Sequence, residues 1–494
     1  MTQMDKYKDQ NEVTVVQQEN VQYPEHAPFH PAARYPEAPL EIVASGINSA
    51  YECVRELFRI SGYDAPAYGA PSWNPLGWLI RPGDTVFLKP NMIAHKHALN
   101  DDWNYVITHG SIVRAVVDYT YLALQGKGRV IIGDAPQNDS RFDLIVAEMG
   151  LRAIQELYWE KKSFEIEIVD LRDEYLVERD GIYTERVRLP GDPRGSFSVD
   201  LAGDSMFAEL DGQGKLYYGA FYDVAETNAH HHDGMHEYAI SRTPVVADVF
   251  INLPKLKTHK KCGITVNLKS LVGINANKNW LPHYAFGSPS AGGDQFSNNG
   301  AKGHLENSLV LAAKKRLLNE SALFKQLARR LKGIGYMVFG DNEQVVRSGN
   351  WHGNDTVWRM CLDLNRILMY ANPNATMRDT AKPYLSIVDG IYAMEGSGPV
   401  GGTLKRAGLV VGGGNPVAVD AVCASLMGFD FRKLPLVMRA FERHAYALTD
   451  CAPEDLNVRS NVECWNRPLC KWEPSRGLQF KPHFGWTGQV EQCQ

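Results

Sequence analysis

Residues 251–273, INLPKLKTHKKCGITVNLKSLVG, combine five lysines and one histidine with two short apolar runs. Ammonium groups pair with anionic oxygens, so lysines gathered at one place suit phosphate or carboxylate groups. The surrounding positive charge disfavours the imidazolium form of His259 and leaves a neutral imidazole that could act as a base. Because VFIN is typical of a buried strand, we predict that the segment from residue 253 is a loop whose lysines enter a crevice. A solvated surface loop is the alternative.

Two further polar groups follow apolar runs that are typical of strands. Lys89 and Asn91 end the run DTVFLKPN, and Asp134 comes near the end of GRVIIGDAP. Ligands of open parallel sheets bind beyond the carboxyl ends of the strands. We therefore predict that these three side chains contribute to the same crevice. His95 and His97, close by, could bind an anion or supply metal ligands.

The densest set of potential metal ligands is NAHHHDGMHE, residues 228–237. On a helix, His232 and His236 would share one face, a spacing compatible with a divalent metal, and His230 would extend the set. Gly234 argues against a regular helix, and a polar surface loop is the alternative reading.

A glycine-rich stretch, residues 386–408, adds two acids. Asp389 lies at the end of a predicted strand and Glu395 follows it, so either could be a partnering acid or a metal ligand. The glycines, Gly398 among them, let the backbone approach a ligand closely. Their spacing matches neither the dinucleotide-binding fingerprint nor the P-loop, and a flexible turn is the alternative.

Buried strands and helices that alternate along the chain must position these groups. The run 84–91, the helical pattern 111–124 and the run 128–136 predict a βαβ unit with parallel strands. Further strands are predicted at 245–257, 384–390 and 408–416, and a further helix at 416–428. The predicted fold class is α/β, with mostly parallel sheets, flanking helices, a β-rich insertion and a long Gly/Asn/Ser/Pro loop.

Composition shifts divide the chain into five predicted parts. They are an extended polar and Pro-rich tail (1–37), a first α/β part (38–160), a β-rich insertion (161–240), a second α/β part (241–430) that contains two basic helices (303–332), and a C-terminal extension (431–494). The loop 275–302 would form an ordered lid.

Composition also limits the partners. With 52 Lys plus Arg against 57 Asp plus Glu, the net charge of −5 gives no general attraction to nucleic acid or anionic membranes. The eight cysteines contain no C-x-x-C pair, so we expect a reduced protein without an iron–sulfur cluster. No apolar run reaches the roughly 18 residues of a membrane helix, and no secretory signal is present, so we expect a cytoplasmic protein.

The stretches VFLKPN, THGSIVRAVVDY, GRVIIGDAP and DVFINLPKLKTHKKCGITVNLKSLVG resemble the family known as domain of unknown function 362, as does VDGIYAMEGSGPVGG followed by NPVAVDAVCASLMG. The most specific part is K-x-H-x(3)-G-x-T-x(3)-K-x(3)-G, here Lys257, His259, Gly263, Thr265, Lys269 and Gly273. Many relatives carry a ferredoxin-like cluster domain, whose cysteine runs this chain lacks. Long relatives with a similar NWLPHYAFGSPSAGGDQF loop imply a polysaccharide or secondary-metabolite pathway.

A shorter stretch is similar to lactate racemase-like proteins. In that family a histidine moves a substrate proton, and a lysine ten residues later anchors a nickel-pincer nucleotide. His259 and Lys269 have this spacing, but residues 266–268 are Val, Asn and Leu where that family has paired glycines.

The leading hypothesis is a cytoplasmic enzyme acting on a small anionic metabolite, such as a phosphorylated or carboxylated sugar or nucleotide. Lys89, Lys257 and Lys269 would hold the anion, His259 would transfer a proton, and Asp389 or Glu395 would be its partner. The other expected substrate-binding residues are Asn91, Asp134, Lys255, Gly263, Thr265, Asn267 and Gly398.

Two alternatives stay open. One is a metal-dependent enzyme, racemase-like, epimerase-like or hydrolytic, built on His230, His232 and His236 with His95 or His97. The other is a non-catalytic scaffold of a biosynthetic assembly that docks through the basic helices.

Overall fold

The structure is a computed structural model that describes residues 10–179, 182–219, 223–297 and 345–492. In chain order the described strands are β1 (Glu12–Gln17), β2 (Thr85–Pro90), β3 (Arg129–Asp134), β4 (Ile166–Asp170), β5 (Glu174–Arg179), β6 (Ile182–Arg188), β7 (Ser196–Asp200), β8 (Tyr217–Tyr218), β9 (His231–His232), β10 (Met235–Ser241), β11 (Val249–Leu253), β12 (Lys255–His259), β13 (Gly263–Thr265), β14 (Tyr284–Ala285), β15 (Tyr384–Glu395), β16 (Thr403–Gly413) and β17 (Asn457–Ser460). The described α-helices are α1 (Ser49–Ile60), α2 (Gly110–Leu124), α3 (Phe142–Glu148), α4 (Leu151–Lys162), α5 (Val224–His230), α6 (Arg242–Val246), α7 (Asn267–Ser270), α8 (Val357–Tyr370), α9 (Pro416–Leu426) and α10 (Pro435–Met438).

Ten of these strands form one central sheet, which is largely parallel. Its order is β17-β1-β16-β15-β11-β2-β3-β4, with β12 paired to β15 and β13 paired to β12. The neighbours from β15 to β4 all run parallel, whereas β16 is antiparallel to both β15 and β1. The predicted α/β class is confirmed, and so is the unit β2-α2-β3.

Helices cover both faces of the sheet, which explains the continuous apolar runs of its strands. Helices α1, α2 and α4 pack with one face of β2 and β3 in one buried cluster. Helix α8 packs against the other face, and α9 packs near β1 and β16. Small antiparallel sheets (β7-β10-β9, β8-β14 and β5-β6) supply the β-rich region between residues 174 and 285.

The N-terminal region departs from the predicted tail. Strand β1 lies inside the central sheet, antiparallel to β16 and parallel to β17, and Val13 and Val15 are fully buried. The run VTVV is short and stands between polar segments, so its composition alone does not predict a buried strand. It is buried because residues 403–413 and 457–460 pair with it on either side. The other predicted part boundaries stay predictions.

The predicted basic helices at 303–332 lie outside the described residues, and so does the end of the predicted lid. Among the helices of the described ranges, none has the length and the apolar surface that crossing a membrane requires.

Candidate anion-binding site

A cavity of about 420 Å³ opens at the carboxyl ends of β2 and β3. The strand order reverses at β2, because β3 and β4 lie on one side of it and β11 on the other. Such a reversal leaves a crevice beyond the strand ends. Six of the residues predicted for the crevice line this one cavity, namely Lys89, Asn91, Asp134, His259, Thr265 and Lys269.

Cationic side chains dominate the lining of this cavity. The lysines and arginine among the described lining residues are Lys89, Lys260, Lys261, Lys269, Lys278 and Arg347. The acids there are Asp134 and Asp139. A cleft lined by one sign of charge raises the local concentration of ligands of opposite charge. The electrostatics therefore favour an anionic ligand.

One lysine and one acid of the lining neutralise each other. Lys89 Nζ lies 2.8 Å from Asp134 Oδ1 and donates to Ser270 Oγ at 3.1 Å. Asp134 also accepts from the backbone N–H groups of Met92 and Ala135. Burial lowers the pKa of Lys89, against the attraction of Asp134, which favours the charged form. This ion pair therefore forms a fixed floor of the cavity.

Lys269 is the lining lysine whose charge lacks compensation. Within the ranges that the structure describes, its ammonium group has no hydrogen bond or ion pair, although the side chain is only 7% exposed. Its position is fixed because Asp420 accepts from the backbone N–H groups of Asn267 and Leu268, which begin α7. Thr265 Oγ1, in the same lining, is buried and also has no hydrogen-bond partner among the described residues.

His259 is held in one tautomer by the backbone. Its Nδ1 accepts from the N–H groups of Lys261 (3.0 Å) and Cys262 (3.3 Å). Burial, and then the charge of Lys269, hold the imidazole pKa well below its ordinary value. The ring is therefore neutral, as the sequence predicts, and its proton resides on Nε2. In this state His259 donates a hydrogen bond rather than accepting a proton.

His283, which sequence analysis missed, is the complementary imidazole. Its Nδ1 lies 2.8 Å from the carbonyl oxygen of Leu281, to which it donates, so a neutral ring keeps Nε2 free of a proton. Burial and then Lys261 hold its pKa well below the ordinary value. The cavity thus contains one neutral histidine that donates through Nε2 and one that accepts there.

The loop that carries His283 also supplies Lys278 and Tyr284 to the lining. Lys278 Nζ donates to the carbonyl oxygens of Val272 (2.7 Å) and Asn275 (3.0 Å). Burial lowers the pKa of Lys278 to about 7. The lysine and histidine inside the sequence NKNWLPHY were the available signal for this contribution, whereas nothing in the sequence points to Arg347.

Two predicted lysines lie elsewhere, because residues 255–259 form strand β12 rather than a loop, and all five are buried. Lys255 Nζ contacts Asp389 Oδ2 at 2.9 Å, and Asp389 lies within β15 rather than at its end. Lys257 Nζ donates to the carbonyl oxygen of Val106 at 2.7 Å, and burial holds its pKa well below the ordinary value. The strand resumes after Pro254 and pairs with β15, which removes these side chains from the crevice.

Four other predicted residues are also absent from the described lining, and the structure gives each another contact. Glu395 accepts from the backbone N–H of Lys481. Gly263 has a φ of +82°, and a Cβ there would collide with Leu434. Asn267 Oδ1 accepts from Ser386 Oγ. At Gly398 a Cβ would overlap the backbone of Thr258, although the next two residues, 399 and 400, reach the cavity.

The side chains of the predicted histidine cluster, His230, His232 and His236, do not come together at one metal site. Helix α5 ends at His230, and the chain then turns through Gly234 into the hairpin β9–β10, which separates the side chains. His230 Nδ1 contacts Glu237 at 2.7 Å, His236 Nε2 contacts Asp211 at 3.2 Å, and His232 is exposed. In the described part of the chain, no group of three or more His, Cys, Asp or Glu side chains could hold a metal ion.

The side chains of His95 and His97, two residues apart, form hydrogen bonds with different parts of the backbone. The backbone N–H of Arg141 donates to His95 Nδ1 at 3.3 Å, and His97 Nε2 lies 2.8 Å from the carbonyl oxygen of Gly402.

Residues 211–425 match the family described as "Domain of unknown function (DUF362)". No curated protein matches the chain. A solved structure of a protein from Thermotoga maritima shares 9% sequence identity with a TM-score of 0.28, and the match covers 70% of this chain and 54% of that one. This chain thus spans about half the length of that protein. The similarity to lactate racemase-like proteins stays a prediction.

Proposed function

We propose that this protein, a member of the domain of unknown function 362 family, is an enzyme that acts on a small anionic metabolite held in the cationic cavity. The observation that carries the proposal is the ammonium group of Lys269, whose side chain lines the cavity, is only 7% exposed and has no hydrogen bond or ion pair in the described residues. An anionic group of the ligand would supply the missing partner.

Three residues that line the cavity carry hydrogen-bond donors. Lys269 supplies an ammonium group, Thr265 a hydroxyl group, and His259 an Nε2–H. Phosphate and carboxylate oxygens accept charge-assisted hydrogen bonds from such groups. The ligand would also satisfy Thr265 Oγ1, whose unmet hydrogen bond otherwise carries a desolvation penalty of about 1–3 kcal/mol.

The two histidines supply the proposed chemistry. His259 donates to the anion, whose negative charge offsets the nearby lysines and so raises the depressed pKa of His283. The unprotonated Nε2 of His283 then accepts a proton from a neighbouring group of the ligand. The proton-accepting role predicted for His259 thus passes to His283 in this proposal. The reaction class is a proton transfer next to an anionic group, as in an isomerisation or the activation of a hydroxyl group.

The wider lining guides the choice of ligand. Asp139 and Gln137 lie in the same cavity as the cations and could bind hydroxyl groups. A phosphorylated or carboxylated sugar or nucleotide combines both features, and we propose this class, from a polysaccharide or secondary-metabolite pathway. We also propose a cytoplasmic location, which is supported by the seven described cysteines that are free thiols.

The test compares ligand binding by the wild-type protein, by Lys269→Met and by Lys127→Met, an exposed control. Sugar phosphates, nucleotides and sugar acids are screened by thermal shift and then by titration calorimetry. At a hundred times its dissociation constant, a true ligand stabilises the fold by about 2.7 kcal/mol. We expect Lys269→Met to weaken that ligand at least tenfold and Lys127→Met to leave it unchanged. Equal affinity in all three proteins would overturn the proposal.

The two alternatives raised by the sequence have less support. The histidines of residues 228–237 separate across a hairpin, so the proposed ligand set for a metal does not form there. The scaffold hypothesis depends on residues 303–332, which lie outside the described ranges.

A further inference from the structure

A second cavity, of about 680 Å³, lies where the N-terminal segment crosses the start of α2. Aromatic rings make up much of its wall: Tyr23, Phe29, Trp103, His109 and Tyr392. None of these five residues lines the cationic cavity. This aromatic cavity is therefore a separate site.

Four of these five rings pack on one another. Tyr23 stacks on His109 with centroids 4.0 Å apart and planes 4° apart. Tyr392 meets Tyr23 edge-on at 4.8 Å, and Phe29 packs on His109 at 5.1 Å. Rings that support each other in this way present a preorganised surface to a ligand.

Two residues that the sequence assigned to the crevice hold this wall in place. The Tyr23 hydroxyl donates to Asp389 and accepts from Lys255 Nζ at 2.8 Å. Asp389 Oδ2 also accepts from the backbone N–H of His109 at 2.9 Å. Tyr23 and His109 are thus fixed by one buried carboxylate.

Backbone strain is concentrated beside the same wall. Phe29 has a φ of +57°, a left-handed conformation that costs a non-glycine residue about 1–2 kcal/mol. Asn48 Nδ2 donates to the carbonyl oxygens of Phe29 and His30, and Arg114 donates to that of Pro28. Conformations that are over-determined in this way are concentrated at ligand sites.

The charged groups of this lining are acids. Glu25 and Glu148 line the cavity, and its described lining contains no lysine or arginine. Burial and then Lys255 lower the pKa of His109 to about 3, so this ring adds no positive charge. Burial and then Asp102 raise the pKa of Glu148, and this carboxylate has no ion pair among the described residues.

Two cations already lie over rings of this wall. Lys255 Nζ lies 4.9 Å from the centroid of the Tyr23 ring, and the Arg406 guanidinium lies 4.7 Å from that of Tyr392. Lys255 forms an ion pair with Asp389 at 2.9 Å, which offsets part of its repulsion of a cation in the cavity. Glu25 is 89% exposed, so we take Glu148 as the acid that faces a ligand.

We propose that the aromatic cavity binds a small organic cation, a methylated ammonium group seated between the rings and Glu148. Electron-rich ring faces attract such cations, and methyl groups lower the cost of taking them out of water. The volume is within the range of small-molecule pockets. The inference is independent of the proposed anion-binding function.

The test is titration calorimetry of the full chain with choline and with 3,3-dimethylbutan-1-ol, its neutral isostere. We expect choline to bind at least tenfold more tightly than the isostere, because only choline carries the charge. Equal affinity for both, or heat of binding from neither at concentrations up to about 50 mM, would overturn the proposal.

Variants locate the choline site. Glu148→Gln and Trp103→Leu should each weaken choline about five- to tenfold, whereas Trp103→Phe should retain most of the affinity. Matched controls are Glu160→Gln and Trp159→Leu, both at exposed positions of α4. Unchanged choline binding in Glu148→Gln and Trp103→Leu would refute the site. Urea unfolding of the same variants shows that they are folded, whatever the cationic cavity binds.

Discussion

Gly273 lies directly against the carboxylate of Asp134. A Cβ at Gly273 would overlap Asp134 Oδ1 and would lie 2.8 Å from Lys89 Nζ. The carbonyl oxygen of Gly273 also accepts from the backbone N–H of Ala135 at 2.8 Å. The backbone after α7 thus closes over the Lys89–Asp134 ion pair, which only glycine permits.

Gly273→Ala should therefore destabilise the fold and weaken anion binding together. The added methyl group must displace a buried ion pair, and overpacking of this kind costs about 1–3 kcal/mol. Urea unfolding and sulfate titration measure the two effects. Gly203→Ala is the matched control, because a Cβ at that glycine would contact nothing within 4 Å. Wild-type stability in Gly273→Ala would contradict this account of the contact.

The parallel strands and their connecting helix could be predicted from the sequence because the patterns that indicate them are local. The apolar runs that become β2 and β3 and the helical pattern of α2 each specify their own conformation. Strand β1 was missed because its three valines and one threonine stand between polar segments, and its partners β16 and β17 lie about 400 and 445 residues later in the chain.

Site residues were predicted correctly where the residue type and its place after a strand both indicated the cavity. They were predicted wrongly where a partner that is distant in sequence determines the position of the side chain. His259 and Lys269 reach the cavity as expected. Lys255 does not, because a buried lysine needs a carboxylate, and that carboxylate, Asp389, is remote in sequence. The roles of His259 and His283 depend on single hydrogen bonds to the backbone, which residue types do not reveal.

Sulfate affinity should fall as the pH rises from about 7 to 9. Lys278 has a pKa of about 7, so it becomes neutral in this range, whereas sulfate keeps a constant charge. A bound anion raises the lysine pKa, so binding takes up a proton above pH 7, and affinity falls by at most about tenfold per pH unit. Calorimetry in two buffers of different ionisation enthalpy measures how many protons the protein takes up when sulfate binds.

Lys278→Met should bind sulfate more weakly and remove most of this pH dependence. Lys89 also has a lowered pKa, so a slope that persists in Lys278→Met would assign the proton to Lys89. A flat affinity profile in the wild-type protein between about pH 6.5 and 9 would contradict the role of either lysine.

The tautomer of His259 predicts opposite effects of two substitutions. His259→Asn can keep an acceptor for the backbone N–H groups of Lys261 and Cys262 but loses the donor at Nε2. It should fold normally and bind sulfate about tenfold more weakly, the value of one charge-assisted hydrogen bond. His259→Gln can place an N–H near the Nε2 position, so it should retain more affinity and lose more stability. The reverse ranking in calorimetry and urea unfolding would show that Nδ1 faces the ligand.

Lys255 and Asp389 should be coupled energetically, because each removes the cost of burying the other. Both side chains are fully buried and their charged atoms are 2.9 Å apart. Lys255→Met or Asp389→Asn alone leaves one buried group without its partner, and we expect each to cost about 3–5 kcal/mol. The double variant removes both charges, so it should cost less than the sum of the two single changes.

Urea unfolding of the four proteins gives the coupling energy directly. The exposed pair Glu473–Arg476, 3.2 Å apart, is the matched control, since pairs in water contribute at most about 1 kcal/mol. Additivity within about 0.5 kcal/mol at Lys255 and Asp389 would contradict the buried ion pair.

Because Asp389 also binds the Tyr23 hydroxyl and the His109 backbone, Asp389→Asn should weaken choline binding while sulfate binding in the other cavity persists. That pattern would show that these two residues serve the aromatic cavity and not the cationic one.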